Sequence, residues 1–182
     1  LSLALKSKNK KIIEALMIPN KDGNTPLHLA LIQNDQNLIK LLLKANADVN
    51  IKNNQGQTPL YAAIEHNSIE MIGLLLQNGA KINIQDHTGK SPLLYAAARD
   101  SVNIETINHL LDKGANPTTT DGSNNSPLHY AIHKQSVDKI KTLIDRGANL
   151  NTQNKNGDTP LHVAIKNKNS EVIKILIEKS AN

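Results

Sequence analysis

The stretch "TPLHLA", residues 25–30, decides the fold, because the chain spells it again as TPLYAA from 58, SPLLYA from 91, SPLHYA from 126 and TPLHVA from 159. The steps between these starts are 33, 33, 35 and 33 residues, so one unit recurs with a single two-residue insertion. A period in this range signals a stack of small supersecondary units, each too thin to bury a core alone. Thr followed by Pro is a helix start: the hydroxyl accepts from a backbone N–H two or three residues on, and proline at the first helical position gives up a donor that had no partner.

Small residues follow each start. Ala30, Ala62, Ala63, Ala96, Ala97, Ala131 and Ala164 leave room for a second helix, or for the next unit, to come close. That second helix carries the apolar period, as in Leu38, Ile39, Leu41, Leu42 and Leu43, then Met71, Ile72, Leu74, Leu75 and Leu76, and finally Val172, Ile173, Ile175, Leu176 and Ile177. Gly79, Gly114 and Gly147 stand where a left-handed C-terminal cap is needed, with Asn46 and Ser180 expected in the same role. Between helix pairs, the alternating stretches 47–56, 80–89 and 148–157 close on Gly56, Gly89 and Gly157 and read as extended, hairpin-like fingers.

With this period and the T-P-L-H-x-A signature, the chain resembles ankyrin-repeat proteins over essentially its whole length. The resemblance implies an all-α solenoid of about six stacked helix-turn-helix units with β-hairpin-like finger loops. Residues 1–182 then form a single domain, with a partial first repeat at 1–22, full repeats at 23–55, 56–88, 89–123 and 124–156, and a last repeat at 157–182 that lacks its finger. The partial repeat aligns Leu1, Leu3, Ala4, Ile12, Ile13 and Leu16 with apolar places further on. The chain is expected to be a piece of a longer array. Two departures are expected to disturb it: the insertion within 96–105 lengthens a first helix or the turn after it, and the finger with Pro117, Thr119 and Asn124 in place of two isoleucines and a glycine stacks irregularly.

Composition agrees with thin aliphatic layers. Phe, Trp and Cys are absent and only Tyr61, Tyr95 and Tyr130 supply rings. Without cysteine there is no disulfide framework and no thiolate chemistry, which suits a cytoplasmic protein, or one working in a host cytoplasm. No apolar run approaches the roughly 18 residues of a membrane span. The net charge of +5 comes almost wholly from lysine, and together with the heavy use of Lys, Asn and Ile it points to an AT-rich genome, such as that of an intracellular bacterium or a large virus.

Candidate chemistry is sparse. His28, His129 and His162 each follow the capping Thr or Ser by three residues, where an imidazole reaches back to the helix start as in a capping box, so a structural role is expected. His129 and His133 lie one helical turn apart, but with no third ligand near in sequence no metal is expected, and no cofactor either. Phosphate-binding loops, a nucleophile elbow and H-E-x-x-H are missing, so the segment is read as no enzyme. Three tyrosines make no stacking platform, and nucleic acid is not the expected partner. The Asn124–Ser126 sequon has no glycosylation machinery to meet in a cytoplasm. The resemblance also implies that Asn50, Asn83 and Asn151 bond across the fingers.

The expected role is that of a monomeric protein-binding module. The resemblance implies a concave face built from fingers and first helices, so recognition falls to the residues that vary there. These are Lys21, Asp22, Asn24, Ile32 and Gln33; Asn54, Gln55, Gln57, Glu65 and His66; His87, Thr88, Lys90, Ala98 and Arg99; Ser123, Asn125, His133 and Lys134; and Lys155, Asn156, Asp158, Lys166 and Asn167. Lys90, Arg99, Lys134, Lys155 and Lys166 lean basic, which suits a partner with an acidic patch over an interface of roughly 1,600 Å². The alternatives are a recruiting segment for an enzyme whose catalytic domain lies outside this chain, or a plain spacer.

Overall fold

The computed structural model describes residues 18–180, and among them all regular structure is helical. The helix pair expected within 1–17 lies outside the described residues. Two compact units are present, Leu1–Lys81 and Ile82–Asn182.

In the first unit, α1 (Pro26–Ile32) pairs with α2 (Gln36–Lys44) and α3 (Pro59–Glu65) with α4 (Ile69–Gln77), while α1 packs on α3. In the second, α5 (Pro92–Ala97) pairs with α6 (Ile104–Asp112), α7 (Pro127–His133) with α8 (Val137–Asp145), and α9 (Pro160–Lys166) with α10 (Ser170–Ser180). There α5, α7 and α9 form one layer and α6, α8 and α10 the other.

Each first helix begins as the Thr/Ser–Pro pair dictates, with an extended N-cap residue before the proline. Thr25, Ser91, Ser126 and Thr159 accept the amide three residues on, whereas Thr58 makes no side-chain cap. The alanines do what their size allows: Ala30, Ala63, Ala96, Ala97, Ala131 and Ala164 are buried where first helices meet their neighbours. Leu27, Leu31, Ile39, Leu42, Leu60, Ile64, Ile72 and Leu75 fill the first unit, and Leu93, Ile107, Leu110, Leu128, Ile132, Ile140, Leu143 and Leu176 the second.

The second helices end in the left-handed caps expected of Asn46, Gly79, Gly114 and Gly147, whose φ angles run from 59° to 90°. Bonds such as Ala80 N–H to the Leu75 carbonyl (3.0 Å) and Ala148 N–H to the Leu143 carbonyl (2.9 Å) close the Schellman pattern. Ser180 departs from the expectation. It remains helical, its hydroxyl donating to the Leu176 carbonyl at 2.7 Å, because a serine gains a bond by reaching back and loses energy in the left-handed region.

The insertion lengthens the turn and not the helix. Helix α5 has six residues where the other first helices have seven, and 98–103 then bridges to α6, with Val102 tucked into the core at 1% exposure. The three-residue turns elsewhere pass through a left-handed residue, Asn34, Asn67, Gln135 or Lys168, at φ 52–54°.

Candidate interaction surface

The fingers are not strands; each is a tight turn built on one Asn or Asp side chain. Asn20, Asn53, Asp86, Asp121 and Asn154 accept, through Oδ1, the amides two and four residues on, at 2.8–3.0 Å. Each also donates its own amide to the carbonyl four residues on, at 2.9–3.1 Å. The residue three places on takes a positive φ: Gly23, Gly56, Gly89 and Gly157, with Asn124 at φ 59° in the remaining finger. The irregular stacking expected there is therefore absent at the tip. Asn124 stands in the left-handed region, which asparagine tolerates better than most residues, and its amide still donates to the Asp121 carbonyl at 2.9 Å. This Asx ladder follows the same 33, 33, 35, 33 steps as the Thr/Ser–Pro starts. That spacing is the linear signal of the Asx turns, lying inside stretches that also alternate like strands.

Successive tips are stitched to one another within each unit. Asn54 N–H donates to the Asp22 carbonyl at 3.0 Å in the first unit; Gly122 N–H donates to the Thr88 carbonyl and Lys155 N–H to the Ser123 carbonyl, each at 3.0 Å, in the second. Asn50 bonds the Gly79 carbonyl and the Lys81 amide (both 2.9 Å), and Asn83 the Gly114 carbonyl and the Asn116 amide (3.3 and 3.0 Å), as the resemblance implied.

The three histidines hold the helix starts. Thr25 N–H lies 3.2 Å from His28 Nδ1, the Thr25 hydroxyl 2.8 Å from it, and His28 Nε2 3.0 Å from the Gln57 carbonyl of the next repeat. His129 repeats this with Ser126 at 3.2 and 2.8 Å and the Asp158 carbonyl at 3.0 Å. An amide donor on Nδ1 and a carbonyl on Nε2 select the neutral Nε2–H tautomer. Burial lowers the pKa of both rings, against a carbonyl bond that raises it. Both ring nitrogens of His129 are engaged in these bonds. Among the described residues no three of His, Asp or Glu are grouped as metal ligands.

Several expected recognition residues are also bonded within the fold. Asn24 and Asn125 accept from Asn53 and Asn154, Asn54 donates to the Lys21 carbonyl, His66 Nε2 lies 2.9 Å from the Ile32 carbonyl, and Asn167 donates to the Ile132 carbonyl. The Thr88 hydroxyl donates to Asp86, and Gln57 is half-buried beside His28. Lys21, Asp22, Ile32, Gln33, Gln55, His87, Ser123, His133, Lys155 and Asn156 are exposed, and Glu65 is half-buried.

The basic lean of the second unit is partly neutralised in place. Lys134 pairs with Asp100 at 2.7 Å and Lys166 with Asp158 at 2.6 Å, the latter bond pulling the Asp158 carboxyl below the ordinary carboxylate range. Arg99 stacks 3.7 Å over the Tyr95 ring, and Lys90 sits 5.1 Å over Tyr130. The Tyr130 hydroxyl donates to Asp121 at 2.7 Å, and burial together with that carboxylate pushes its pKa well above the usual tyrosine range. The Lys90–Tyr130 contact joins residues forty places apart and has no counterpart in linear spacing, whereas Arg99 lies four residues after Tyr95.

Paired helices on a 33-residue pitch, joined by stitched fingers, define the class of helical-repeat proteins. A family model described as three copies of the ankyrin repeat matches residues 1–86, 51–121 and 93–182, so the chain belongs to the ankyrin-repeat family. None of the curated proteins matches it. Ankyrin repeats are generally protein–protein interaction modules and typically non-catalytic. Among the described residues no helix is long and apolar enough to cross a membrane.

Proposed function

We propose that the chain, as a single ankyrin-repeat domain with repeats at 23–55, 56–88, 89–123 and 124–156 between a partial first repeat and a fingerless last one, binds another protein through its fingertips and first helices. One observation carries this reading. In every finger the turn backbone is bonded internally by the Asx side chain, while the two residues after it change from repeat to repeat: Lys21–Asp22, Asn54–Gln55, His87–Thr88, Gly122–Ser123 and Lys155–Asn156. All ten are exposed. A fixed scaffold presenting variable side chains loses little entropy on association.

The partner's surface opposite the second unit is acidic. Arg99 is held flat by its ring and Lys155 stands exposed on a tip, whereas Lys134 and Lys166 already face carboxylates. Arg99→Glu with Lys155→Glu, in a chain that melts like the parent, should weaken capture of the partner from cell lysate by about tenfold or more and flatten its salt dependence. The same proteins retained with unchanged salt dependence would refute the electrostatic reading. If Asp22→Lys, Gln55→Lys and His87→Glu are added and capture still persists, the fingertip reading goes too.

A further inference from the structure

The third position of the second helix is aliphatic or small in four repeats, as Leu38, Met71, Thr106 and Val172, and is lysine in one. Lys139 is only 6% exposed. An ammonium in such a place is unfavourable unless its donors are satisfied. Its Nζ donates to the Arg99 carbonyl at 2.6 Å and lies 3.5 Å from the Ala96 carbonyl. Both carbonyls belong to the end of α5 and the long 98–103 turn, in the only repeat that carries the insertion.

The other repeats show what the ammonium does there. The carbonyl at the place of Ala96 receives the closing amide of a three-residue turn: Asp35 to Ala30 at 2.9 Å, Ser68 to Ala63 at 3.1 Å, Ser136 to Ala131 at 3.1 Å and Asn169 to Ala164 at 3.2 Å. Each of those turns needs its left-handed residue, and 98–103 contains none, so the Ala96 carbonyl there accepts the nearer Arg99 amide at 3.3 Å, with the Lys139 ammonium beside it. Burial pushes the Lys139 pKa down, Asp100 opposes the shift and Lys134 adds to it, so these three charges meet at this turn.

We propose that Lys139 is a positioning residue matched to the inserted turn: its ammonium anchors the Arg99 carbonyl, next to the carbonyl that a turn amide closes in the other repeats, and holds 98–103, with Arg99 on Tyr95 and Asp100 beside Lys134, as a preformed part of the binding surface. The use of that surface rests on the interaction reading above. The match between lysine and turn does not, and it is measured without a partner.

A double-mutant cycle tests it. Lys139→Met is made in the native chain and in one whose residues 99–103 are replaced by the sequence of 33–35, which restores a three-residue turn. The substitution should lower the folding constant about tenfold more in the native chain, where it takes the ammonium away from the Arg99 and Ala96 carbonyls, than in the grafted chain, where methionine sits as Met71 does. An equal effect in both backgrounds overturns the proposal, leaving Lys139 as a filler of volume. If either chain is too unstable to measure, Lys139→Gln in the native chain, with hydrogen exchange at 98–103 and the Tyr95 ring resonances as readouts, decides the matter. Exchange faster by about tenfold and a displaced Tyr95 signal support it, and unchanged values overturn it. Loss of partner capture in Arg99→Glu bears on the binding reading alone.

Discussion

Gly89→Val is expected to cost the second unit about 3 kcal/mol or more, against about 1–2 kcal/mol for Gly157→Val. Both glycines hold a positive φ, 82° and 76°, that a β-branched residue resists. They differ in what a side chain would meet. A Cβ on Gly89 would stand 2.6 Å from Gly122 N and 3.1 Å from the Asp121 carbonyl carbon, whereas one on Gly157 meets nothing within 4 Å. Neither neighbour at Gly89 is the soft end of a side chain: Gly122 N–H is the amide that bonds the Thr88 carbonyl, so relief requires pulling two fingers apart. Urea unfolding of the two variants beside the parent gives the comparison. Equal losses would mean that only the φ penalty operates and that the fingers part freely.

Acid should destabilise the protein through His28 and His129. Both folded-state pKa values lie below the ordinary 6.5, with burial as the main cause. The sign follows from which state binds protons. Below the ordinary pKa the unfolded chain takes up a proton that the folded ring refuses, so the stabilising contribution is complete above about pH 6.5 and is lost as pH falls towards the depressed folded value. The limiting slope is about 1.4 kcal/mol per pH unit for each ring. Geometry supplies the reason. A proton on Nδ1 of His129 would face the Ser126 amide, itself a donor, at 3.2 Å. His133, Asp121 and Asp158 are the charged groups acting on this ring, the two carboxylates favouring protonation and His133 opposing it. His129→Gln should lower stability at neutral pH and remove one ring's share of the slope between about pH 7 and pH 5. A slope untouched by that substitution would show that the ring is not the group refusing the proton.

What could be read from the linear chain was what local chemistry decides. Thr25 before Pro26 starts a helix wherever it stands, Gly79 after an apolar run ends one, and His28 three residues past a hydroxyl reaches back to it. The insertion was visible too, although α5 shortened and did not grow. Contacts between repeats were beyond such reading. Lys139 sits in an apolar register and gave no sign of the turn forty residues earlier whose carbonyls it meets. Asp100 lay among unremarkable polar residues until the stack brought Lys134 to it. Gln135 and Lys168 take left-handed conformations that their own preferences disfavour, because a three-residue connection between packed helices leaves no other path. Asn24, Asn54 and Asn167 stood out in the chain only as variable positions, yet their side chains also bond the adjoining repeat.

The Ser123–Lys155 stitch has a dynamic consequence. The Lys155 amide is shielded from solvent exchange only while the tip before it keeps its shape, and Gly122 depends on the Thr88 tip in the same way. Breathing in the second unit is therefore shared along a row of loops, and a ligand that quiets one of them should slow isotope exchange in the one beyond.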